Sequence, residues 1–214
     1  MNWVLRYHEQ IESGQVVVSA RVRRMYQRLA ADIREPRDPW RFDEARGSKP
    51  IEFIERFCRQ SKGEWIGQPL RLDLWQKAYV QALFGFVHQE TGLRRFNETI
   101  LCVGRKNGKS VLLSGIALYM LVGDGEGGAE VYTVATREKQ ARIVFAESVN
   151  MVLQSPDLAR HIKKRKTDLY FPLTFSKYEA LASESKRMDG LHSHCVVIDE
   201  LHAIRNRELY EVMK

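Results

Sequence analysis

The sequence predicts an α/β fold, a mostly parallel sheet flanked by helices, preceded by a helical amino-terminal extension. Three observations carry this. Strand-like apolar runs at 100–103, 130–135 and 195–198 alternate with helix-like runs at 111–122 and 136–153. The first strand-like run breaks into the polar loop Gly104-Arg-Lys-Asn-Gly-Lys-Ser110, and the last ends in Asp199-Glu200. Both motifs therefore fall at the carboxyl edge of the sheet, where open α/β folds bind ligands.

Residues 1–34 mix apolar positions at helical spacing with arginines at 21, 23, 24 and 28, and read mostly as helix. The arginines suit a nucleic-acid backbone, a solvated helix face or a neighbouring subunit equally well. Residues 35–50, with Pro36, Pro39, Gly47 and Pro50 among many charges, read as a connecting segment. From Ile51 to Cys58 the apolar spacing is helical again, and Asp73 is placed to cap a helix running to Phe84. Gln76 lies on the first turn of that helix. Its amide offers the donor and acceptor that match the edge of adenine, although on local evidence the position reads rather as a surface glutamine.

The loop at 104–110 reads as a cradle for nucleotide phosphates, formed by Gly104, Arg105, Lys106, Asn107, Gly108, Lys109 and Ser110. The first turn of a helix leaves backbone N–H groups unpaired and partly positive, so a phosphate can accept from several at once. Gly108 allows close backbone approach, Lys109 supplies a cation for the β- and γ-phosphates, and the Ser110 hydroxyl suits Mg²⁺. The usual spacing asks for a glycine where Val103 stands, so the loop alone also reads as a glycine turn with a solvated lysine. The acidic pair changes the balance. Asp199 is placed to hold the Mg²⁺ shell and Glu200 to orient or deprotonate a water attacking the γ-phosphate, which points to nucleotide hydrolysis.

The helix at 136–153 starts with Thr136, Lys139 and Gln140 at the same sheet edge, where they read as a cap or as contacts to DNA or nucleotide. Arg160-His-Ile-Lys-Lys-Arg-Lys166 is the densest basic run, expected at a loop or helix end. Strands are expected at 169–175 and 178–183 with a turn near 176–177, and a polar loop at 183–190. His192 and His194 read as structural, since no further zinc ligands stand nearby.

The 214 residues suffice for one core, and the net charge of +7 favours polyanionic partners, nucleic acid first. Cys58, Cys102 and Cys195 show no metal spacing, and the last two are expected in buried strands. This usage argues for a reducing compartment. The amino terminus lacks a signal-peptide core and the longest apolar run is too short to span a bilayer, so a cytoplasmic protein without membrane contact is expected.

Four pieces, Phe53-Ile-Glu-Arg-Phe-Cys58, Gly67-Gln-Pro-Leu-Arg-Leu-Asp-Leu-Trp-Gln76, the loop at 104–110 and Gly190-Leu191 leading to Ile198-Asp-Glu200, resemble the ATPase half of large terminase subunits of HK97-like tailed phages. The resemblance implies a P-loop NTPase of the ASCE type that uses ATP and Mg²⁺ to drive double-stranded DNA into a capsid. It implies a homo-oligomeric ring, with a portal protein and a small terminase subunit as partners, in the cytoplasm of the bacterial host. It also implies that Gln76 reads adenine, that Lys109 and Ser110 serve phosphate and Mg²⁺, and that Asp199 and Glu200 are the acidic pair. Such enzymes place an arginine against the γ-phosphate, and Arg105 and Arg187 are the candidates, Arg187 for action on a neighbouring subunit. The expected division is a helical extension and linker over 1–50 and an ATPase domain over 51–214. Because the sequence stops at Lys214, the domain is expected to be truncated, without a nuclease domain or nuclease activity. The alternatives are a helicase-like nucleic-acid ATPase and a non-catalytic nucleotide- or DNA-binding assembly module.

Overall fold

The computed structural model describes residues 1–135, 138–182 and 191–201, with only the backbone at 138–140 and at 182. The chain forms two compact units, residues 1–52 with 71–102, and residues 53–70 with 103–214. This differs from a division near residue 50, because 71–102 pack with the amino-terminal helices.

In the first unit, α1 (Trp3–Glu12) and α2 (Ala20–Arg34) are capped by Asn2 and Ser19, whose side chains accept from Leu5 N and Val22 N. Val4, Tyr7 and Ile11 fall on one face of α1 and are buried against Tyr26 and Leu29 of α2, with the Tyr7 and Tyr26 rings meeting edge-on at 4.7 Å. Strand β1 (Trp40–Phe42) follows, then α3 (Glu44–Phe57), whose last residues belong to the second unit. Residues 40–50 are therefore not a linker. Asp43 Oδ1 accepts from Arg46 N at 2.9 Å and starts α3 there, and Pro50 sits inside the helix. Gly47 acts as a packing residue rather than a breaker, since a β-carbon at that position would come within 2.8 Å of Gln81 O.

Helix α4 (Leu74–Gly85) begins at Asp73 as the sequence predicts and runs directly into β2 (Phe86–His88), which pairs antiparallel with β1. Gln81 is fully buried on α4. Its Oε1 accepts from Trp3 N at 2.7 Å and Val4 N at 3.3 Å, and its Nε2 donates to Met1 O and Ser48 Oγ at 3.0 Å. This amide occupies two donors that the start of α1 would otherwise leave unpaired.

The second unit is built on helix α5 (Lys109–Val122), strand β3 (Glu130–Ala135), α6 (Glu138–Gln154), the short α7 (Pro156–His161) and strands β4 (Lys163–Lys164), β5 (Asp168–Phe171), β6 (Ser176–Ala182) and β7 (Ser193–Ile198). The sheet order is β4-β5-β6-β3-β7. Strand β3 is parallel to β6 and β7, whereas β4, β5 and β6 are joined antiparallel, so the sheet is mixed rather than mostly parallel. The cause is local: β5 and β6 are joined by only four residues, which permits a hairpin and no crossover. The turn falls at 172–175, earlier than expected, with Ser176 already in β6 and Phe175 at φ 58°.

On one face of β3, Thr133 Oγ1 lies 2.6 Å from the buried Tyr178 hydroxyl, which also accepts from Ser148 Oγ of α6. Helix α5 joins the same layer, with Ser114 Oγ donating to Val144 O at 2.9 Å. The opposite face carries Tyr132 and Val134, packed with Leu181, Leu191 and Val196. The strand expected at 100–103 is not formed: Ile100 is 80% exposed and Cys102 is exposed. Apolar, β-branched residues favour a strand only where a ladder partner accepts them, and β3 is the neighbour of β7 in this sheet. Cys195 lies half-buried in β7, while burial pushes the Cys58 thiol up to about 12.

Candidate active site

The phosphate loop runs from Gly104 to the first turn of α5. Lys106 has φ 65° and Gly108, at the amino cap of α5, φ 70°. Two left-handed residues in three turn the chain sharply into the helix, and glycine meets that demand without steric cost. Asn107 Nδ2 donates to Gly104 O and Arg105 O, both at 3.2 Å, which fixes the bend. Gly104, Arg105, Lys106, Asn107 and Gly108 are exposed, whereas Lys109 and Ser110 are half-buried in the first turn of α5.

The acidic pair is placed by the parallel ladder. Val134 of β3 is opposite Ile198 of β7, and the next residue continues the pairing, with Asp199 N donating to Val134 O at 3.2 Å. Asp199 is thereby buried at the carboxyl end of β7. Glu200 then leaves the strand at φ 55°, its N–H held by Asp199 Oδ1 at 3.0 Å. A glutamate seldom adopts this conformation, and strain of this kind gathers at functional positions. The turn leaves the Glu200 carboxylate 42% exposed beside a neighbour that is 7% exposed.

The two motifs meet directly. Lys109 Nζ lies 2.9 Å from Asp199 Oδ1 and 3.7 Å from Glu200 Oε1. The hydrogen bond to Asp199 raises the Lys109 pKa; burial works against it, and the charges of Asp199 and Glu200 add to it. The ammonium is therefore charged at neutral pH and available to phosphate oxygens. Sequence spacing gives no sign of this ion pair, because ninety residues separate its members.

A divalent ion fits the donor set. Ser110 and Asp199 offer hydroxyl and carboxylate oxygens without soft ligands, as Mg²⁺ requires. Among the described residues no cluster of three His, Cys, Asp or Glu forms a protein cage. Mg²⁺ at phosphate sites rarely uses one, since water and phosphates complete its shell.

Gln76 is buried in the first unit, where its Oε1 accepts from Asp73 N at 2.8 Å as part of the α4 cap. Arg187, Thr136 and the polar loop at 183–190 fall outside the described residues, as do the side chains of Lys139 and Gln140. His194 Nε2 lies 2.9 Å from Asp124 Oδ2 and ties β7 to the loop after α5, and His192 donates its backbone N–H to Glu130. No helix among the described residues is long and apolar enough to cross a membrane.

Residues 74–214 match the family described as terminase large subunit, ATPase domain. Over 163 residues, 75% of this chain and 31% of the relative, the sequence is 36% identical to the terminase large subunit of Enterobacteria phage HK97. The terminase large subunit of Lactococcus phage p2 is 26% identical over 170 residues, 71% of this chain and 32% of that protein. The crystal structure of the HK97 bacteriophage large terminase superposes with a TM-score of 0.67 at 31% identity, covering 78% of this chain and 34% of that one. The chain thus spans about a third of the length of the relatives it matches. The extent of these matches leads to one assignment: the chain belongs to the ATPase domain family of terminase large subunits.

Proposed function

We propose that this chain hydrolyses ATP and couples the cycle to the movement of double-stranded DNA, as the motor of a phage packaging machine. The observation that supports this reading most strongly is the contact of Lys109 with both Asp199 and Glu200. The three groups have opposite tasks on one substrate, and each is held by a different part of the fold.

In the proposed cycle, the N–H groups at the start of α5 receive the phosphates, and Lys109 exchanges Asp199 for β- and γ-phosphate oxygens. Asp199, released, and the Ser110 hydroxyl would hold Mg²⁺, which neutralises charge on the phosphates when bound. Glu200, the more exposed carboxylate, orients the attacking water and accepts its proton. Catalysis is then mainly positioning and charge stabilisation. Arg105, in the loop, or Arg187, from a neighbouring subunit, completes the charge around the γ-phosphate. A homo-oligomeric ring on double-stranded DNA, with a portal protein and a small subunit, is the setting in which such a site works.

The reading is tested by supplying ATP to the chain on two substrates. An intact duplex carrying a bound third strand reports movement, and a forked duplex reports separation. Third-strand displacement without unwinding of the fork is expected; unwinding without displacement would make the protein a helicase.

A further inference from the structure

The basic run at 160–166 takes no part in the site above. It folds as the last turn of α7, the two-residue edge strand β4 and the turn into β5. Arg160, His161, Lys163, Lys164, Arg165 and Lys166 are all exposed, while Ile162 is 3% exposed and pins the backbone beneath them. We infer that this ridge is a contact surface for the phosphate backbone of duplex DNA, an inference that rests on the reading of the chain as a DNA-moving ATPase.

The ridge is the densest run of basic residues in the sequence. Arginines of the first unit are more spread, and some are paired in place: Arg23 with Glu12 at 3.5 Å, and Arg37 and Arg95 with Asp32 at 3.4 and 2.8 Å. The run 160–166 holds five Lys or Arg and no acid; Arg165 pairs with the buried Asp168, and Glu179 stands opposite Asp168 in the ladder. Arg160, Lys163 and Lys166 have no acidic partner among the described residues. The ridge is also held in shape. Arg165 N donates to Asp168 O at 2.9 Å, the Arg165 guanidinium bonds the Asp168 carboxylate and lies 4.0 Å over the Tyr170 ring, and Lys164 Nζ bonds the carbonyls of Arg165 and Lys166. A surface already ordered loses little freedom when it binds.

Two structural roles account for part of this charge. Arg160 and His161 complement the carboxyl end of α7, and lysines on an edge strand discourage pairing with another sheet. Neither role explains Lys166, which lies beyond the strand. Glutamate blocks an edge as well as lysine does but repels phosphate, so charge reversal separates the two roles.

The experiment is fluorescence anisotropy of a labelled mixed-sequence duplex of about 30 base pairs with the full chain, without nucleotide, from about 50 to 200 mM salt. Each phosphate contact contributes about 0.9 to the slope of log affinity against log salt. The variant Lys163→Glu/Lys166→Glu should lower the slope by about 1.8 and weaken binding by about tenfold or more at the low-salt end. The control Arg24→Glu/Arg28→Glu makes the same change in net charge on α2 and should keep the parent slope. An unchanged slope in the ridge variant, or an equal loss in the control, overturns the assignment. If circular dichroism shows the glutamate variant unfolded, Lys163→Gln/Lys166→Gln serves instead, with the same slope expected. ATP turnover without DNA is measured in parallel and should be that of the parent. A parent chain without turnover counts against the ATPase reading, while the slope comparison still decides the ridge.

Discussion

Lys109 is held by the Asp199 and Glu200 carboxylates, and Glu200 is bent out of the strand that carries Asp199. At the scale of single residues these two were legible as candidates because Gly108-Lys109-Ser110 opens a helix-like run and Asp199-Glu200 ends a strand-like one. Their direct contact, and the left-handed backbone of Glu200, were not, since both depend on the β3–β7 ladder. A second charged group missed by sequence reasoning is Glu130. It accepts from Tyr132 Oη at 2.7 Å and His192 N at 3.1 Å, with Lys177 Nζ at 3.1 Å. Burial works against ionisation there, but these bonds and the Lys177 charge outweigh it and hold the carboxyl below the usual glutamate range. A lowered pKa contributes stability above the unfolded value of about 4.3, and that contribution is lost as pH falls through the folded value. The thermal midpoint should therefore drop between about pH 5 and pH 3, and Glu130→Gln should flatten the drop. A parallel pH profile for the variant would remove Glu130 from the account.

Among the elements, helices with a clean cap were the most legible. Asp73 marked the start of α4, and β3 stands where the strand-like run at 130–135 predicted. Failures came where a residue's local meaning was overruled by packing. Pro50 and Gly47 read as breakers yet lie inside α3, because Gly47 allows contact with α4. The run at 100–103 is apolar enough for a strand but gained no ladder partner. Another glycine shows the same logic inside α5. A β-carbon on Gly115 would meet Ile54 Cγ1 of α3 at 3.0 Å, so Gly115→Leu should destabilise the protein by about 1–3 kcal/mol in urea unfolding, and Ile54→Val should recover part of the loss. A Gly115→Leu variant as stable as the parent would show that α3 and α5 do not press together there.

For the molecule as a whole, the fold class followed from the alternation of strands and helices, but the order of the strands did not. The antiparallel β4–β5–β6 side of the sheet comes from a four-residue turn whose position shifted by a few residues, and pairing partners are set by long-range contacts that no local window contains. The catalytic edge was spared this ambiguity, since the phosphate loop and the acidic pair are both in the second unit, beside β3. The central claim is that ATP is hydrolysed there, with Lys109 binding phosphate and Glu200 activating water. It is tested most directly by phosphate release from Mg-ATP, together with ATP binding, for the parent, Lys109→Ala and Glu200→Gln over a wide range of protein concentration. The account predicts lost binding in Lys109→Ala, and in Glu200→Gln retained binding with turnover reduced by about 10²-fold or more. Parent-like turnover in Glu200→Gln would contradict it.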